Sequence, residues 1–229
     1  MRKLVLFDID GTLVLTGRAG VRGMNRALQE VFGVPDGLAG IPVAGRTDWA
    51  ILEEAVRRCG RTLDGELLDD LRSRYVERLA EEIQHRGEGR KEVLPGIRPL
   101  LDHLSERQDV AVGLVTGNFS KGAEVKLGHF DLWRYFRFGG FGDDAADRNL
   151  LVPFAVDRAR ACGVPELARR DVVVIGDTPA DVACAQAVGA TAVAVATGGS
   201  SVEELRATGA EFVFANLADH RVLLDALDR

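Results

Sequence analysis

An apolar strand that runs into two acids constrains this chain more than any other feature. Leu4-Val5-Leu6-Phe7 is followed directly by Asp8-Ile9-Asp10-Gly11-Thr12. Ionised carboxylates near a core are costly unless they are paired or hold a metal. In open α/β sheets, ligands bind outside the carboxyl ends of the strands. Asp8 and Asp10 are therefore the first candidates for chemistry.

The rest of the chain supplies the sheet that such a strand needs. Val110–Val115, Val172–Ile175, Thr191–Ala196 and Phe212–Phe214 are short apolar runs rich in β-branched residues. That pattern is expected of strands covered on both faces. Phe136–Phe138 is expected to add another. Helical stripes lie between them: Ile97, Leu100, Leu101 and Leu104; Leu151, Phe154, Ala155, Ala159 and Cys162, closed by Gly163; and Val182, Ala185 and Val188, closed by Gly189. The alternation predicts an α/β fold, a doubly wound, Rossmann-like parallel sheet.

Residues 16–90 break the alternation with helical patterns only. Val21, Met24, Leu28 and Phe32 form one stripe, Ile51, Leu52, Ala55 and Val56 a second, and Leu67, Leu71, Tyr75, Leu79 and Ile83 a third. Core packing suffices to explain them. We expect residues 1–15 and 91–229 to form the core and 16–90 an inserted all-helical cap domain, joined by two linkers and able to act as a lid.

Composition narrows the partners. The 229 residues carry 29 basic and 35 acidic side chains, a net charge of −6, which argues against nucleic acid. No apolar run reaches membrane-spanning length. The N-terminus enters a strand at once, so no signal peptide is expected. Cys59, Cys162 and Cys184 show no metal or redox spacing, as suits free thiols in a reducing, cytoplasmic setting. A monomer or a homodimer is expected.

Two further strand exits carry polar groups. Val172-Val173-Val174-Ile175 ends in Gly176-Asp177-Thr178-Pro179-Ala180-Asp181. Asp177 would join Asp8 and Asp10 if the strands are neighbours, and such hard oxygen ligands suit Mg²⁺. Asp181 reads either as part of that site or as a helix N-cap. Thr116-Gly117-Asn118 offers a hydroxyl, an exposed N–H and a helix start, an anion cradle or a plain cap. A carboxylate working on a phosphate needs a cation beside it. Of the four lysines, Lys126 flanks the apolar stripe of the following helix and is preferred, with Lys121 second and Arg148 third.

Asp8-Ile9-Asp10-Gly11-Thr12, Thr116, a downstream lysine and Gly176-Asp177-Thr178-Pro179-Ala180-Asp181, in that order, resemble the phosphatase branch of the haloacid dehalogenase superfamily. The likeness spans nearly the whole chain. The helical insert is similar to that of phosphoglycolate-phosphatase-like and β-phosphoglucomutase-like members. The resemblance implies Asp8 as nucleophile, forming an aspartyl-phosphate, and Asp10 as general acid and then base. It implies Mg²⁺ on Asp8, the Asp10 main-chain carbonyl and Asp177. Thr116, Gly117 and Asn118 would hold phosphoryl oxygens. Lys126 would bridge Asp8 and phosphate, and Asp181 would position Lys126 or a metal-bound water. Many relatives place the lysine in a Lys-Pro pair where this chain reads Asp147-Arg148-Asn149-Leu150-Leu151-Val152-Pro153. Dehalogenases and phosphonatases of the superfamily lack an acid two residues after the nucleophile. Asp10 therefore implies phosphomonoester hydrolysis or phosphomutase chemistry.

The expected function is a Mg²⁺-dependent phosphatase acting on a small phosphorylated metabolite. A sugar phosphomutase is the alternative, and a non-catalytic regulatory or binding protein the alternative of another class. The turn Gly45-Arg46-Thr47-Asp48 is the candidate reader of the leaving group through Arg46 and Thr47, with Arg18 second, unless Thr47 or Asp48 only caps the next helix.

Overall fold

The computed structural model describes residues 3–227. The outermost residues of the expected core segments, 1–2 and 228–229, lie outside the described residues. Strands β1 (Lys3–Phe7), β4 (Val110–Val115), β5 (Gly139–Gly140), β6 (Val172–Gly176), β7 (Thr191–Val195) and β8 (Phe212–Phe214) form one sheet in the order β5-β4-β1-β6-β7-β8. Every neighbouring pair is parallel, and β1 lies centrally, with Phe7 paired to Leu114 on one side and Ile175 on the other. Such pairing requires crossovers. Among them are α4 (Ile97–Glu106), α5 (Ser120–His129), α6 (Leu151–Ala161), α7 (Pro179–Val188) and α8 (Val202–Ala207); α9 (His220–Leu227) follows β8.

Side-chain alternation along β1 builds the two layers. Val5 and Phe7 enter a cluster with Leu100, Leu104 and Leu127, while Leu4 and Leu6 enter another with Leu151, Val182 and Ala185. Both faces are buried, and so these strands are continuously apolar.

Two expectations about this half are corrected. The edge strand is Gly139–Gly140 rather than Phe136–Phe138. Only residues without a side chain fit there: a Cβ on Gly140 would overlap the Leu151 carbonyl. Phe154 is not in the buried stripe of α6; it is 39% exposed, while Leu151, Ala155 and Ala159 face the sheet.

The segment between the sheet's first two strands in sequence is helical, as expected, with α1 (Ala19–Phe32), α2 (Asp48–Arg58) and α3 (Gly65–Glu82). Their stripes form a cluster of their own around Leu28, Leu52, Leu71 and Tyr75. Asp64 caps α3 by accepting from Leu67 N at 2.9 Å. The chain enters and leaves this segment through β2 (Val14–Thr16) and β3 (Lys91–Val93), which pair antiparallel. The two linkers are thus a hydrogen-bonded ribbon. Phe119, at the start of α5, crosses from the sheet side into the helical cluster and stacks edge-on against Tyr75 at 6.2 Å.

Candidate active site

The carboxyl ends of β1, β4 and β6 are adjacent, so Asp8, Thr116 and Asp177 converge there. Asp8 leaves β1 with its N–H donated to the Ile175 carbonyl at 2.9 Å. The chain then turns sharply over residues 9–14, with Leu13 N donating to Ile9 O at 2.9 Å. Gly11 sits in that turn at φ +87°, and a Cβ there would run into the Asp177 carboxylate. The Asp-x-Asp-Gly-Thr spacing is thereby explained: glycine permits both the left-handed turn and the close approach. Thr12 Oγ1 donates to Asp177 Oδ1 at 3.1 Å and tethers β1 to β6.

Asp8, Asp177 and Asp181 each present a carboxylate oxygen within 4.8 Å of the others, all buried. The nearest cation is Arg148, whose Nη2 donates to Asp8 Oδ1 at 2.9 Å and also to Asp181. One guanidinium cannot balance three buried carboxylates. Burial raises the Asp8 pKa to about 6, with Arg148 opposing it. Burial and the charge of Asp8 raise Asp177 to about 8. Hard oxygen donors with surplus negative charge fit a divalent cation such as Mg²⁺.

The N-cap of α7 is Thr178 and not Asp181, which sits at the third helical position and completes a capping box. Asp181 Oδ2 accepts from Thr178 N at 3.0 Å and Thr178 Oγ1 at 2.7 Å, while its Oδ1 meets Arg148 beside the acidic cluster. Its partner is Arg148 and not Lys126, because Lys126 approaches the site from the other side of β1. Lys126, 4% exposed, donates from Nζ to Asp10 Oδ2 and to Asn118 Oδ1, each at 2.6 Å. Burial works against this ammonium, but the charges of Asp10 and Asp48 outweigh it and raise its pKa. Lys126 thus holds Asp10, and the cation bonded to Asp8 is Arg148, ranked third from sequence. Lys121 is exposed and paired with Glu124 at 2.8 Å.

Thr116 is fully buried, and its Oγ1 accepts from Asn118 Nδ2 at 2.8 Å. That amide also donates to Asp10 Oδ2 at 2.9 Å. The Gly117 carbonyl accepts from Asp48 N at 2.7 Å. The Asp10 carboxylate is thus turned to Lys126 and Asn118 and does not join the cluster of Asp8, Asp177 and Asp181.

The residues expected to read the substrate are placed differently from one another. The Arg46 guanidinium is held by Glu54 at 2.6 Å and the Ala50 carbonyl at 3.0 Å. Thr47 accepts from Ala50 N to cap α2 and donates to the Ala146 carbonyl at 2.7 Å, so its one O–H proton is already committed. Arg18 is exposed beside Glu88 at 3.3 Å, at the rim. Two groups that reach the site from the helical segment were not singled out by sequence reasoning, which named Asp48 only within the 45–48 turn or as a cap and left Tyr75 to packing. Asp48 is buried and accepts from Phe119 N at 2.9 Å. Burial lifts its pKa to about 6, with Lys126 opposing. Tyr75 lines the cavity from the stripe that packing alone explained. An acid directly after a capping threonine was the available signal for Asp48; Tyr75 had none.

Comparison with known proteins bears on the family and the fold. Residues 5–195 match the haloacid dehalogenase-like hydrolase family. A phosphoglycolate phosphatase of Yersinia pseudotuberculosis is 24% identical over 224 residues, spanning 94% of this chain and 90% of that protein. A crystal structure of a hydrolase from Pseudomonas syringae superposes with a TM-score of 0.68 at 24% identity, over 100% of this chain and 98% of that one. A haloacid dehalogenase-like family hydrolase from Streptococcus pneumoniae gives 0.65 at 20% identity, over 97% and 98%. At these identities the solved structures speak for the fold, and the family match carries the assignment: this chain belongs to the haloacid dehalogenase-like hydrolases.

Proposed function

We propose that this hydrolase is a Mg²⁺-dependent phosphatase that cleaves small phosphomonoesters through an aspartyl-phosphate on Asp8. The observation that carries the proposal is the separation of the two acids of one motif. Asp8 is buried beside Asp177, Asp181 and Arg148, while Asp10, two residues on, is part-exposed and held by Lys126. Acids of one strand end in such different surroundings are suited to different tasks.

In the proposed reaction an Asp8 carboxylate oxygen attacks phosphorus. The bond to the leaving oxygen breaks, and Asp10 gives that oxygen a proton. Water then attacks the aspartyl-phosphate, Asp10 takes its proton, and the bond from phosphorus to Asp8 breaks to release phosphate. Arg148 orients Asp8 for in-line approach, and Lys126 with Asn118 holds Asp10. Thr116 and the Gly117–Asn118 backbone are the donors for the phosphoryl oxygens. Asp8, Asp177 and the Asp10 carbonyl would hold Mg²⁺, with Asp181 beside them. Bound there, the ion would neutralise carboxylate and phosphoryl oxygens and let the two anions meet. Residues 16–90 act in this reading as the cap over the site.

Phosphate release from an aryl phosphate tests this. We expect Mg²⁺-dependent turnover that EDTA abolishes. In Asp8→Asn turnover should fall by about three orders of magnitude or more with the fold intact by circular dichroism. Full activity in that variant would refute the nucleophile. Isomerised sugar phosphate without free phosphate would favour the mutase.

A further inference from the structure

The cavity beside Asp8 has two unlike walls. It encloses about 360 Å³, within the range of sites that take drug-sized ligands, roughly 300–1,000 Å³. The wall on the sheet side carries the acids, Thr116, Asn118 and Arg148. The opposite wall, from the helical segment, is largely apolar: Val21 and Met24 of α1, Leu38 and Val43 of the following loop, and Ile51 of α2.

Charge sharpens the contrast. Among the described residues, four cationic side chains line this cavity, and each already has an acid: Lys126 has Asp10, Arg148 has Asp8 and Asp181, Arg46 has Glu54, and Arg18 has Glu88 at the exposed rim. The helical side adds a negative group of its own, Asp48, buried at the cavity edge. With a phosphoryl group at Asp8, a carboxylate on the leaving group would meet Asp10, Asp48 and the apolar wall. It would lose its hydration and gain no free cation.

We infer that the substrate is a phosphomonoester of an uncharged alcohol with a sizeable apolar body, seated against Met24 and Ile51, and not of a short carboxylic acid. This rests on the phosphatase reading and narrows its substrate class. It parts the chain from what the name of its Yersinia relative would suggest.

A matched series of alkyl phosphates isolates the effect, because leaving-group basicity barely changes along it. We expect kcat/KM to rise at least about tenfold from ethyl to hexyl phosphate, since a methylene in an apolar pocket is worth roughly 10-fold or more. Hexyl phosphate should exceed its ω-carboxylate analogue and phosphoglycolate by at least the same factor. In Val43→Lys, at a position 37% exposed and so tolerant of change, relative turnover of the ω-carboxylate analogue should rise several-fold. Ile51→Lys should do the same if its melting curve shows it folded. A flat series, or a preference for phosphoglycolate with Asp8-dependent turnover, overturns this inference and leaves the phosphatase reading standing. If no phosphomonoester is turned over, both fall.

Discussion

Residues in this site are defined by which charge each one faces. Arg148 is the clearest example, being the sole cation bonded to Asp8 among the described residues. Its local sequence, Asp147-Arg148-Asn149, would suit any exposed turn. Removing it leaves buried carboxylates uncompensated, so Arg148→Ala should cost about 3–5 kcal/mol, read by urea unfolding without added metal. Arg148→Lys should recover part of that loss, because a lysine keeps the charge but gives up the planar guanidinium that holds one nitrogen, Nη2, between Asp8 and Asp181. Asp48 gives a pH signature. Its folded pKa of about 6 lies above the ordinary 3.8, so the folded protein holds that proton more tightly than the unfolded chain. The stabilisation from this group is complete below 3.8 and disappears as pH rises through about 6. Urea midpoints of the native protein and Asp48→Asn should therefore diverge across that window, with the variant relatively more stable at the upper end. Parallel curves would show that the Asp48 carboxyl is not raised.

At the scale of elements, caps separate structure from chemistry. Asp64 caps α3 and Asp181 completes the capping box of α7, yet only Asp181 also faces the acidic cluster. Asp64→Ala should destabilise by about 1 kcal/mol and leave kcat unchanged. Asp181→Ala should affect both, and equal kinetic effects in the two variants would sink the distinction. The strands were legible because burial on both faces makes them continuously apolar, and β4 and β8 lie where the pattern puts them. The edge strand was not. Two glycines carry no hydrophobic signal, and the room they must leave is set by Leu114 and Leu151, distant in sequence. Phe154 misled for the opposite reason: its spacing fits the helix stripe, but α6 meets the sheet along a narrower line than periodicity suggests.

Across the whole molecule, the helical segment and the sheet are joined by specific contacts. Asp48 exchanges hydrogen bonds with the 117–119 backbone, Thr47 with Ala146, and Arg72 with Asp143 at 3.2 Å. Phe119 is the apolar counterpart, fully buried among residues of α1–α3 while anchored at the start of α5. Phe119→Ala should cost about 3–5 kcal/mol. It should also raise KM more than it lowers kcat, if closure of the proposed cap helps retain substrate. Equal KM in the variant and the native protein would separate packing at Phe119 from substrate retention.

Most strands of the sheet, the helical segment between its first two and the acids at two strand ends were readable from the chain itself, since each is a local pattern of apolar and polar residues. Tertiary structure alone decided which cation meets which acid, because Arg148 and Asp8 stand 140 residues apart and no periodicity links them. It alone turned Tyr75 and Asp48 from packing and capping residues into cavity wall. A stripe records that a face is covered, whereas the identity of what covers it depends on how separate elements cross in space.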